Sequence, residues 1–242
     1  VGALFTVAGG QLIHHFCTGG VVDSPAGDLV VTAAHCVSRL SPGQVAFVPG
    51  YRDGAEPYGA WPVSAVYTDR RWRASASPNH DVAFLVIHRD ASGREIQQVT
   101  GGQRLGTGWR ARVAVHVVGY PDQADSPIIC RRHTRGFGRR QLKIVCGGFT
   151  GGTSGGPFLA RLNTVTGEGT VIGVIGGYEE GGELAWVSYS ARFGRAVRAL
   201  YQAAASQPPA AAWSSPGRRS QRRPAGLVSA PRAGRSRPSW PR

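Results

Sequence analysis

The sequence predicts an all-β chain: two β subdomains, one terminal helix and a disordered basic tail. Three observations carry this. Short runs rich in β-branched and aromatic residues alternate with clusters of Gly, Pro, Asp and Ser along most of the chain. Glycine supplies 35 of the 242 residues while charged residues reach only 17%, which excludes coiled coils and helix bundles. Helical spacing of apolar residues is clear only near residue 200.

Taken in order, the strand runs of the first half are Leu4 to Val7, Leu29 to Thr32, Val45 to Val48, Val63 to Tyr67 and Val82 to Ile87. Val113 to Val118, Leu142 to Val145, Val171 to Ile175 and Ala185 to Tyr189 follow in the second. Between the halves, Arg89 to Arg110 is polar and carries Gly93, Gly101, Gly102, Gly106 and Gly108, so the boundary is placed there, with residues 1–100 and 101–205 as the two units. From Arg192 to Ala205, Phe193, Val197, Leu200 and Tyr201 recur at helical spacing, giving one amphipathic helix. Residues 206–242 have seven prolines, eight arginines, no acid and no periodic apolar face, and are expected to be disordered.

The formal charge of +14 is concentrated in two places. One is that tail. The other is Arg131, Arg132, Arg135, Arg139, Arg140 and Lys143, six cations with no acid between them. No recognition motif or aromatic interleaving accompanies them, so specific nucleic-acid binding is not expected. No apolar run approaches the roughly 18 residues that a membrane span needs. The absence of methionine suggests a fragment from which a leader has been removed.

Two cysteines fall in each half: Cys17 and Cys36, then Cys130 and Cys146. Of the three possible connectivities, pairing within each half is the economical one, and disulfides imply an oxidising compartment. The competing reading is a metal site, since His14, His15 and His35 lie near the first pair; the spacings of a zinc site are absent, and no metal is expected.

The chemistry centres on Gly151-Gly152-Thr153-Ser154-Gly155-Gly156-Pro157, one serine among four glycines. It is either a flexible turn or a backbone that tolerates only glycine around an exposed hydroxyl. The segment also satisfies the G-x-S-x-G nucleophile elbow, whose acid and histidine follow the serine. Every histidine here precedes Ser154 and no aspartate follows it, which excludes that fold. A serine hydroxyl needs a base, itself oriented by a buried acid. Thr32-Ala33-Ala34-His35-Cys36 sets a histidine at a strand end, and Asn79-His80-Asp81-Val82-Ala83-Phe84-Leu85 sets an aspartate at the mouth of a buried strand. His80 adjoins Asp81, but neighbours in a strand point to opposite faces, so it is not taken as the base. Asp69 and Asp90 are read as turn residues.

In that order the three segments resemble the trypsin/chymotrypsin family of serine peptidases, most nearly its secreted actinobacterial members, over residues 1 to 201. The resemblance implies two antiparallel β-barrels with the active site between them. It implies His35 as general base, Asp81 as its orienting acid, Ser154 as nucleophile, and the N–H groups of Gly152 and Ser154 as the oxyanion hole. It also implies a polypeptide substrate, no cofactor, and an extracellular bacterial enzyme, expected to be a monomer. Thr153 stands where the family usually carries the aspartate that pairs with a newly cleaved N-terminus. Gly148 holds the position of the acid that selects Arg or Lys, and Ile175 that of a histidine in glutamyl endopeptidases. A neutral pocket is left, walled by Gly148, Gly176, Gly177 and Tyr178. Two other readings remain: a catalytically silent family member that acts as a binding protein, and a polyanion binder acting through the basic loop and tail.

Overall fold

The computed structural model describes residues 1–208, 210 and 212. In the first half, β1 (Gly2–Ala8), β2 (Gln11–Val22), β3 (Leu29–Thr32), β4 (Val45–Pro49), β5 (Trp61–Thr68) and β6 (Ala83–Ile87) close into a barrel in the order β1-β2-β3-β6-β5-β4. The β1–β2 turn is Gly9-Gly10, with φ of 59° and 78°, the left-handed pair that lets a two-residue loop follow the strand twist. Leu4, Val30, Phe47, Trp61 and Leu85 fill the interior. Short helices interrupt the barrel outside its strands: α1 (Ala34–Val37), α2 (Arg70–Ser75) and α3 (Ile96–Thr100). None of the three is read from the sequence, which sets His35 at a strand end and residues 96–100 in the polar stretch between the halves. Asp69, read as a turn residue, caps α2 by accepting the Arg71 N–H.

The second half holds β7 (Arg104–Leu105), β8 (Ala114–Gly119), β9 (Ile128–His133), β10 (Arg135–Phe137), β11 (Gln141–Val145), β12 (Pro157–Ala160), β13 (Thr170–Val174) and β14 (Val187–Ala191). They form a five-stranded sheet, β7-β13-β12-β8-β9, and a three-stranded one, β10-β11-β14, around a shared core of Val117, Leu142, Ile144, Phe158 and Ile172. Not every pairing is antiparallel, because β7 runs parallel to β13.

α4 covers Arg195–Ala205, shorter at its start than the helix read from Arg192. Val197, Leu200 and Tyr201 turn its apolar face onto Leu29, Val31 and Phe84 from the barrel and Leu159 and Val171 from the second half. The helix therefore shares one core with both halves. Chain contacts continue past 205, with Ala210 against the same cluster and Ala212 bridged to Arg89. The rest of the basic tail lies outside the described residues.

A second joint involves His15, buried among Phe5, Tyr51 and Tyr120 with its Nδ1 unpartnered. Burial pushes this imidazole below its ordinary 6.5, while Asp125 and Asp122 pull it up and His14 adds to the push. A base depressed in the folded state contributes stability above its unfolded value and loses it on acidification. Wild type should therefore lose more stability than a His15→Phe variant between about pH 7 and 5. Denaturant melts at both pH values measure this, and equal losses would show that His15 is not protonation-sensitive.

Candidate active site

Asp81 follows a 3₁₀ turn, Pro78–His80, and enters β6 with no exposure to solvent. A buried carboxylate needs hydrogen-bond donors, and three N–H groups supply them. The His35 backbone N–H donates to Oδ1 at 2.9 Å, the Gly177 N–H donates to Oδ2 at 2.8 Å, and His35 Nδ1 lies 2.7 Å from Oδ2. Because the carboxylate accepts, a proton sits on Nδ1, and in the neutral ring the lone pair is therefore on Nε2. His35 lies in α1 directly after β3, and the Cys36 disulfide to Cys17 ties α1 to β2. The other disulfide joins Cys130 to Cys146, so each bond lies within one half. Cys17, His35 and Cys36 gather their ligand atoms within 4.8 Å, but the two sulfurs are bonded to each other and are not thiolates.

His80 does not share this site. It ends the 3₁₀ turn rather than standing in a strand, and its Nδ1 lies 3.4 Å from Asp69 Oδ2.

Ser154 sits on a turn shaped by contacts to both halves. Its carbonyl accepts the Thr18 N–H from β2 at 2.7 Å, and the Gly155 N–H donates to the Ile175 carbonyl at 2.7 Å. Gly155, at φ +82°, approaches so closely that a Cβ would lie 2.1 Å from the Thr18 carbonyl oxygen and from Thr32 Oγ1. At Gly152, with φ +84°, a Cβ would meet the Asp122 nitrogen at 2.4 Å. The glycines around the serine are therefore sterically required. Gly155→Ala should unseat the turn and reduce turnover by at least two orders of magnitude, on the order of what misplacing a reacting group by about 1 Å costs. Near-normal rates in that variant would refute the packing argument. Thr153 is buried, and its hydroxyl donates to the Thr150 carbonyl at 2.6 Å, closing the turn on itself. The backbone N–H groups of Gly152 and Ser154 find no acceptor among the described residues.

The segment after β13 completes the site. Gly176 packs against the acid, where a Cβ would lie 2.9 Å from Asp81 Oδ2. Tyr178–Gly181 then forms a short strap, a tight turn in which Glu179 and Glu180 take left-handed φ of 51° and 52°. The Ser154 hydroxyl donates to the Glu180 carbonyl at 3.4 Å, and no hydrogen bond joins it to His35. Glu180 and His35 line one open groove of about 780 Å³. The Tyr178 ring packs 5.0 Å from both Phe137 and Tyr189, and its hydrogen bond to Glu179, with that carboxylate's charge, raises the phenol above 10.0. Gly148, at φ +84°, is exposed, and a Cβ there would meet Ile128 at 3.5 Å. Sequence reasoning missed the strap as a cover for the serine. Its only signal was a tyrosine and three glutamates among glycines.

A model of the trypsin-like peptidase domain matches residues 17–174. No curated protein matches the chain. Among solved structures, the protease Anisep from Arthrobacter nicotinovorans is similar at 26% identity and a TM-score of 0.71, over 85% of this chain and 95% of that one. A thermostable serine protease, AL20, from an extremophilic microorganism is similar at 24% identity and a TM-score of 0.72, over 86% and 97%. A Glu endopeptidase shares the fold at 16% identity and a TM-score of 0.64, over 84% and 90%. With the matched segment spanning more than half of its length, the chain belongs to the trypsin-like peptidase family and is a serine-type peptidase.

Proposed function

We propose that the protein is a secreted endopeptidase that hydrolyses peptide bonds through an acyl-enzyme on Ser154, with His35 as base and Asp81 as its orienting acid. The observation that carries this is the Asp81 carboxylate, fully buried and holding both the ring and the backbone of His35. With Nδ1–H committed to Asp81, Nε2 is left to accept the serine proton. A bound peptide takes the place of the Glu180 carbonyl, and the freed hydroxyl turns to Nε2. Oγ then attacks the scissile carbonyl carbon while its proton passes to Nε2. The N–H groups of Gly152 and Ser154 receive the oxyanion, which costs no reorganisation because they have no acceptor to leave. The imidazolium returns the proton to the leaving amine, and water repeats the sequence on the ester.

Every step draws on groups of this chain, without a cofactor. Residues 1–100 supply His35 and Asp81, and residues 101–205 supply Ser154. Gly148, Gly176, Gly177 and Tyr178 border a neutral substrate pocket. Two intrachain disulfides support an oxidising, extracellular location.

Labelling with an active-site-directed fluorophosphonate tests this against the silent-binder reading. Modification mapped to Ser154, lost in His35→Ala, is the expected result; no labelling of correctly oxidised protein would favour the binder.

One observation favours polyanion binding as an accompanying property. Arg135 and Lys143 stand directly opposite each other in the β10–β11 pair, and like charges so placed repel. With Arg112 and Arg132 they line a cleft of about 670 Å³ that contains no carboxylate. Binding of a sulfated polymer that weakens steeply with salt would establish it; salt-insensitive or absent binding would not.

A further inference from the structure

We propose that Gln141 is a positioning residue: its buried amide locks the loop that carries Asp81 to the strap over Ser154, and so sets both the orientation of His35 and the seat of the substrate. The inference rests on the peptidase reading above. Gln141 opens β11, is 6% exposed, and was not singled out by any sequence pattern. Burying a primary amide costs free energy unless its two donors and its oxygen are all matched. Here they are matched, and all of the partners belong to the active-site loops. Nε2 donates to the Pro78 carbonyl at 3.0 Å and to Asn79 Oδ1 at 3.0 Å. Oε1 accepts the Tyr178 N–H at 3.3 Å.

These partners flank the acid from both sides. Pro78 and Asn79 lead directly into Asp81, while Tyr178 follows Gly177, whose N–H donates to Asp81 Oδ2. One side chain thus spans the two segments that hold the carboxylate in place. The approach is close: a Cβ on Gly177 would come within 2.3 Å of Gln141 Oε1, so glycine at 177 is required by the amide as well as by its φ of +83°. The orientation of the amide is also determined, since its NH₂ faces two acceptors and its oxygen faces a donor. Next to it in the sheet stands Phe137, on which the Tyr178 ring packs, so the strap is seated on the same face.

The two arms of the amide predict separable effects. The donor arm acts on Asp81 and hence on the chemical step; the acceptor arm acts on the strap and hence on substrate binding. Gln141→Glu keeps an acceptor for Tyr178 but loses the donors. Asn79→Ala removes one acceptor at a half-buried position, with thermal melts to check the fold. Both should lower kcat by on the order of 10-fold with KM little changed. Gln141→Met, which loses both arms, should lower kcat and raise KM. Adding Asn79→Ala to Gln141→Met should cost nothing more, because the shared interaction is already gone.

A second readout does not depend on turnover. In a Ser154→Ala background, the His35 ring proton bonded to Asp81 should give a low-field proton resonance, which Gln141→Met shifts or broadens. If that resonance is present but the wild type hydrolyses no peptide, the peptidase reading fails while the resonance still decides the role of Gln141. Unchanged kcat, KM and resonance in folded Gln141→Met, or a lower melting temperature alone, would reduce Gln141 to a packing residue and overturn the proposal.

Discussion

Ser154→Ala and His35→Ala are each expected to remove nearly all turnover, on the order of a 10⁶-fold loss in kcat, and the double variant is expected to be scarcely slower than either. The reason lies in the division of labour. The hydroxyl is a weak nucleophile without a base, and Nε2 has nothing to accept without the hydroxyl, so the second loss removes a function already absent. On the proposed mechanism, what remains in all three variants is substrate binding and the N–H groups at positions 152 and 154, which would stabilise the oxyanion whatever attacks. Steady-state rates on one peptide, with folding checked by thermal melts, measure this. Losses that multiply in the double variant would mean that the two residues act independently, and the assignment would be wrong.

The second large effect is expected at Asp81→Asn, a loss on the order of 10⁴-fold. Asp81 offers two oxygens to three donors. Asparagine has one oxygen. If that oxygen faces the ring, the new NH₂ meets the His35 backbone N–H; if it faces the backbone, the NH₂ meets both Nδ1 and the Gly177 N–H and forces the proton onto Nε2. In the second arrangement the base is lost outright. Either one also leaves a buried donor unmatched, which costs about 1–3 kcal/mol of stability. His80→Ala is the control, since His80 is paired with Asp69 on the far side of the turn. If His80→Ala hurt activity more than His35→Ala did, the wrong histidine would have been chosen.

The strands that were legible in the sequence are those whose short runs are rich in apolar, β-branched and aromatic residues. Leu29 to Thr32 coincides with β3, and Val63 to Tyr67 and Val82 to Ile87 match β5 and β6 to within two residues at each end. β2, at twelve residues the longest strand of the barrel, passed unnoticed. Its first half, Gln11 to His15, is mostly exposed and polar, and its second half carries glycines where Pro157 and Val30 approach closely. β12 begins at Pro157 and is hidden behind the glycine-rich turn. The three residues of the proposed triad could be named because each lies in a short motif. Gln141 and the Glu180 carbonyl could not, because their roles come from the way in which β11 and the strap meet loops some 26 to 63 residues away. A glutamine that begins a strand has no local mark of being buried. Gly177 was legible only as a pocket wall, whereas its N–H is what holds Asp81 from the second half.

On the proposed mechanism Ser154 becomes an ester during turnover. Rapid mixing with a slowly deacylated ester substrate, followed by acid quench and peptide mass mapping, measures this directly. A burst of leaving group equivalent to one per active enzyme is expected, with an acyl group on the peptide containing Ser154 that is absent in the Ser154→Ala variant. Hydrolysis with no burst, or an acyl group found on any other residue, would contradict it.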